Sequence, residues 1–94
     1  MSDARRVLER LLRKGERARL RGDTTPASLP MTTEASARDY LSLRTLAERE
    51  TFHAQIAVAE RAGAIAAQRD RHRGDGDRLL RLTVVDLDAL ASHL

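Results

Sequence analysis

The chain has no cysteine and no tryptophan, and its aromatic side chains are Tyr40 and Phe52 alone among 94 residues. Absence of cysteine removes disulfide staples and all thiol chemistry. With aromatics at 2%, the core must be built from Leu, Val, Ile and Ala, which favours a mostly helical domain that leans on a partner. No apolar run approaches the ~20 residues of a membrane span, and no apolar signal segment follows Met1. No membrane association is therefore expected, and the expected location is cytoplasmic. Lysine is almost missing too: of 17 basic residues only Lys14 is not arginine.

What is present fits one small folded domain, with 41% hydrophobic and 33% charged residues. The net charge of +3 says little as a total, because an arginine bias of this kind follows from base composition alone. Its distribution says more. Residues 1–22 hold eight basic and three acidic side chains, a balance of +5; residues 23–63 balance at −2 and residues 64–94 at zero.

Hydrophobic spacing predicts a first helix from a Ser2 cap to about Arg21, stopped by Gly22. Ala4, Val7, Leu8, Leu11, Leu12, Gly15 and Ala18 form its buried stripe. A loop follows, in which Ser28-Leu29-Pro30-Met31 reads as a short edge strand, where proline is tolerated. Thr32 or Thr33 caps a short helix over 34–41, and Ser42–Arg44 makes a turn. Thr45 with Glu48 forms a capping box for a helix that ends at Gly63, with Phe52, Ile56 and Ala59 inward. A strand over 64–69, a loop over 71–77 and a strand in which Leu80, Leu82 and Val84 face inward make a hairpin. Asp86 caps a last helix with Leu87, Leu90, Ala91 and Leu94 on one side. Its pattern is still running at Leu94, as in the N-terminal fragment of a longer protein. This order predicts an α+β, mainly helical domain: a winged helix-turn-helix with a C-terminal β-hairpin wing and a terminal helix. A helix bundle with a frayed hairpin is the alternative.

Catalytic signatures are sparse. There is no Gly-rich phosphate loop, no serine in a nucleophile motif and no helical pair of metal-binding histidines. His53, His72 and His93 lie in separate elements and read as surface or boundary residues. Asp70, Asp75 and Asp77 lack the twelfth-position glutamate of a calcium loop and sit among Arg71, Arg73 and Arg78. No enzyme active site, metal, cofactor or small-molecule substrate is expected.

Nucleic-acid binding has more support. On a helical wheel Arg6, Arg10, Arg13, Lys14, Arg17 and Arg21 fall within about 100° over ~22 Å of helix, the form of a stripe that follows phosphates. The competing reading is a solvated face with Glu9–Arg13 support. Arg71 and Arg73, with Arg69 and Arg78, surround the hairpin tip and form a second basic locus, diluted by the neighbouring aspartates. The helix before the hairpin has little to read bases with. Its outer face offers Leu46, Ala47, Glu50, Ala54, Ala57, Val58 and, at the end, Arg61. A helix apolar on both sides suits a protein interface or homodimer, with Leu46, Ala54, Ala57, Val58, Leu90 and Leu94 as its candidates. Double-stranded DNA, gripped by its backbone, and a protein partner are the expected ligands.

Three stretches resemble the N-terminal region of the JetD nuclease subunit of Wadjet anti-plasmid defence systems, relatives of the A subunit of type VI topoisomerases. They are Leu11-Leu12-x-Lys14-x-Glu16-Arg17-Ala18, Glu50-x-Phe52-His53 with Glu60-Arg61-Ala62-Gly63-Ala64-Ile65, and Leu87-Asp88-Ala89-Leu90. The resemblance spans most of this chain but only the opening part of the family protein. It implies a DNA-handling module ahead of a TOPRIM metal site. None of that site's acidic ligands has a counterpart here, so DNA or partner contact is implied and cleavage is not. Docking without DNA, or a small stand-alone transcription regulator, are the alternative functions.

Overall fold

The computed structural model describes residues 3–31, 46–72 and 76–94, with side chains throughout except at positions 3, 46, 48, 49, 70–72 and 76–78. The helix expected over 34–41, the turn after it, Thr45 of the capping box and Arg73 lie outside the described residues. Within them the order is α1 (Asp3–Leu20), β1 (Ser28–Pro30), α2 (Leu46–Arg61), β2 (Ile65–His72), β3 (Gly76–Val84) and α3 (Leu87–His93). The three strands form one antiparallel sheet in the order β1-β3-β2, which rules out a helix bundle with a frayed hairpin. No helix among the described residues is long and apolar enough to cross a membrane.

Helix α1 forms because its apolar residues recur at helical spacing and bury a single stripe: Ala4, Val7, Leu8, Leu11 and Ala18 are all under a tenth exposed. It ends in a Schellman motif. Gly22 takes a φ of +72°, the Asp23 N–H donates to the Ala18 carbonyl at 2.9 Å, and the Gly22 N–H donates to that of Arg19 at 3.0 Å. Helix α2 closes the same way at Gly63, whose φ is +76°, with the Ala64 N–H on Ala59 and the Gly63 N–H on Glu60. Both turns need the left-handed backbone that glycine adopts at least cost. Phe52, Ile56 and Ala59 of α2 are buried as their i, i+4, i+7 spacing requires.

Strand β1 lies at the sheet edge, as its proline demands. The Met31 N–H donates to Leu80 at 2.8 Å and the Val84 N–H donates to Ala27 at 2.9 Å. The ladder bonds thus involve residues 27 and 31, and Pro30 between them turns its missing donor to the open edge.

The hairpin departs from simple alternation. Ala67 pairs with Leu82 and Gln68 with Arg81, but Arg69 pairs with Leu79, so a bulge leaves Leu80 without a partner on β2. Leu79 rather than Leu80 is therefore fully buried beside Leu82, while Leu80 is half-buried. The strands also run farther than turn chemistry suggested. Arg71 pairs with Asp77 and His72 with Gly76, so these four belong to the ladder and not to the loop.

Leu29, Ile65, Leu79, Leu82 and Val84 line the inner sheet face and meet the helices in one core. Asp86 caps α3, its carboxylate accepting the Asp88 and Ala89 N–H groups at 3.0 and 3.1 Å. The helix docks on this chain's own α1. Leu90 is fully buried, Leu87, Ala89 and Leu94 pack at its margin, and Ala91 is exposed instead of inward.

Candidate nucleic-acid interface

The eight basic residues of the first 22 divide by what they touch. Arg5 and Arg19, on the flank of α1 nearest α3, hold that helix at both ends. The Arg5 guanidinium donates to the Leu94 carbonyl at 3.3 Å, and both terminal nitrogens of Arg19 donate to one Asp88 oxygen at 3.2 Å. Arg5 also pairs with Glu9 at 2.9 Å. These are exposed contacts worth at most a few tenths to about 1 kcal/mol each, so they orient α3 more than they stabilise it.

The other six are the stripe: Arg6, Arg10, Arg13, Lys14 and Arg17 are exposed on α1, and Arg21 is exposed in the turn that ends it. Arg13 is weakly engaged by Glu9, at 3.9 Å, and Glu9 is drawn more closely to Arg5. Among the described residues, Arg6, Arg17 and Arg21 make no side-chain hydrogen bond or ion pair. A straight run of exposed cations raises the local potential, attracts polyanions and holds counterions that binding would release.

Lys14 stands at the border between the stripe and the buried face. Its Nζ donates to the Ser28 carbonyl on β1 at 2.7 Å. From the far side, Arg81 of β3 donates to the Ser28 hydroxyl at 2.7 Å. Arg81 lies outside the two basic loci that charge distribution alone picks out. Its signal was available in the period-two pattern, which places Arg81 and Thr83 on the face opposite Leu82. Knowing that the stripe meets it required the β1–β3 pairing.

The second basic locus is less concentrated than the sequence suggested. Arg69 does not surround the hairpin tip: it forms a two-pronged ion pair with Glu60 of α2, one of whose contacts measures 3.1 Å. That pair is about a quarter exposed and ties β2 to α2. Arg71 has its backbone in the ladder, opposite Asp77.

On α2, Ala54 and Arg61 are exposed, Val58 is 47% exposed, and Ala57 is half-buried. Leu46 is the first residue of the helix. The structure thus keeps Ala54 and Val58 at the surface and withdraws Leu90, which the core covers completely, from any outer face. Among the described residues no group of three His, Asp or Glu side chains could hold a metal ion.

No protein-family model, curated protein or solved structure matches this chain.

Proposed function

We propose that this chain is a winged-helix module that grips double-stranded DNA by its backbone, with little sequence preference, through the exposed cationic face of α1. The observation that carries the reading is the division of labour among the eight basic residues of the first segment. Two seat α3, and the other six lie exposed in one arc of the adjacent face. The element order and the β1-β3-β2 sheet support a winged helix, with the β2–β3 hairpin as its wing. The wing's contribution comes from Arg71 and Arg73. Base reading is minor, because Arg61 is the outer-face side chain of α2 with donors suited to it. The resemblance to the JetD N-terminal region supports placing such a module in a DNA-targeting nuclease assembly, with cleavage supplied elsewhere.

Duplex affinity measured against salt for the wild type and Arg10→Glu/Arg13→Glu tests this. A steep log–log salt dependence that the double reversal flattens, with a loss of affinity, is expected, each lost phosphate contact lowering the slope by about 0.9. Salt-independent binding, or no loss on reversal, refutes it.

A second reading, association with another protein or a second copy, is favoured by the exposed Val58 and Ala54 on α2. Sedimentation of the wild type beside Val58→Asp tests self-association, which a monomer unchanged by the substitution excludes.

A further inference from the structure

We infer that Lys14, Ser28 and Arg81 form a seat for one phosphodiester of a nucleic-acid strand, where the stripe on α1 crosses the edge strand onto the sheet; this rests on the DNA-backbone reading above. Two cations from elements distant in sequence converge on one serine. Lys14 reaches its carbonyl and Arg81 its hydroxyl, each at 2.7 Å. Neither takes part in an ion pair with any described carboxylate, so the two positive charges share only neutral acceptors. An anion seated beside Ser28 meets both charges and takes the donors that Ser28 leaves over.

The donor inventory fits a phosphate. An ammonium has three donors and a guanidinium five, and one from each is committed to Ser28. The Ser28 hydroxyl accepts from Arg81, which leaves its own O–H free to donate. Arginine's planar fork matches two phosphate oxygens, and lysine adds a mobile point charge. The seat is held in place by the Ser28–Thr83 and Pro30–Arg81 pairings on one side and by α1 on the other. Lys14 lies one helical turn from both Arg10 and Arg17, so the seat continues the stripe. The outer sheet face beside it exposes Gln68, the cross-strand partner of Arg81.

A structural role for Arg81, pinning β1 to β3, predicts something different: a loss of stability without an effect on salt dependence. The test is duplex binding as a function of salt for the wild type, Lys14→Gln, Arg81→Gln and the double variant, with thermal midpoints measured alongside. Glutamine keeps a donor for Ser28 while removing the charge. The seat predicts unchanged midpoints and a flatter slope in each single variant. The double variant loses about 0.9 in total rather than twice that, since one phosphate is shared. Arg81→Lys, which keeps the charge without the fork, restores the slope but only part of the affinity.

Wild-type affinity and slope in Arg81→Gln, with binding still lost in Arg10→Glu/Arg13→Glu, overturn the seat and leave the α1 reading intact. If the charge reversal on α1 also has no effect, both fall. Inorganic phosphate, added to the protein alone while amide resonances are followed, separates the two sources of the anion. Shifts at Ser28 and Arg81 with duplex, and none with millimolar phosphate, support the backbone seat. Shifts with phosphate and none with duplex overturn it.

Discussion

A substitution at Gly15 tests how α3 is seated on α1. An ideal Cβ built at Gly15 falls 2.6 Å from Leu87 Cδ1, 3.6 Å from Cδ2 and 3.7 Å from Cγ. Optimal carbon–carbon separation is about 3.5–4.0 Å, so the new methyl in Gly15→Ala is close to 1 Å short of room at Cδ1. Two effects oppose each other. Replacing a mid-helix glycine by alanine stabilises α1 by about 1 kcal/mol. Overpacking against Leu87 costs about 1–3 kcal/mol unless that side chain turns away, and turning exposes part of it. The expected net for Gly15→Ala alone runs from neutral to a loss of about 2 kcal/mol.

A double-mutant cycle isolates the contact. Leu87→Ala costs about 1–2 kcal/mol, below the range for fully buried leucines because Leu87 is half-buried. It also removes the three atoms nearest the new methyl at position 15. In that background Gly15→Ala should stabilise by the full ~1 kcal/mol of helix propensity, a coupling of about 1–3 kcal/mol between the sites. Urea unfolding of the four proteins reads this directly, and each kcal/mol moves the thermal midpoint by about 4–8 °C in a domain of this size. If Gly15→Ala stabilises the wild type by about 1 kcal/mol and adds to Leu87→Ala within ~0.5 kcal/mol, α3 does not rest on Gly15 and the packing argument fails.

Two further predictions concern the fold. Phe52→Ala, which empties the largest fully buried side chain, should cost about 3–5 kcal/mol of the ~5–14 kcal/mol expected for a chain of this length; a shift in the urea midpoint worth under ~1 kcal/mol refutes its place in the core. Asp86→Ala should cost about 1 kcal/mol through loss of the two capping bonds and speed amide exchange within α3, with Asp86→Asn close to wild type; an equal effect of both would assign the loss to charge instead.

Local chemistry was the most legible part of the sequence. The stop of α1 at Gly22 and of α2 at Gly63, the cap at Asp86 and the edge position of the Ser28–Pro30 strand were each readable from a residue and its near neighbours. Each depends on backbone geometry spanning no more than about six residues. Period-two reading put Leu80 inward and missed Leu79, because a bulge is decided by the partner strand and not by the strand that carries it. Ala91 was misplaced for a related reason. On a helix of seven residues the buried arc is set by where α1 lies, and Ala89 and Ala91 are equally apolar.

Charge followed the same division. That positive charge gathers in the first helix, and on one side of it, follows from residue type and 100° steps alone. Long-range packing sets what each cation touches: Arg5 and Arg19 meet α3, Arg69 meets Glu60, and Lys14 and Arg81 each give one donor to Ser28. Three of these contacts join residues far apart in the chain: 89 positions separate Arg5 from Leu94, 69 separate Arg19 from Asp88 and 53 separate Arg81 from Ser28, while Lys14–Ser28 spans 14 and Arg69–Glu60 spans 9. A helical wheel counts charges, but long-range packing sets which of them remain to meet a phosphate.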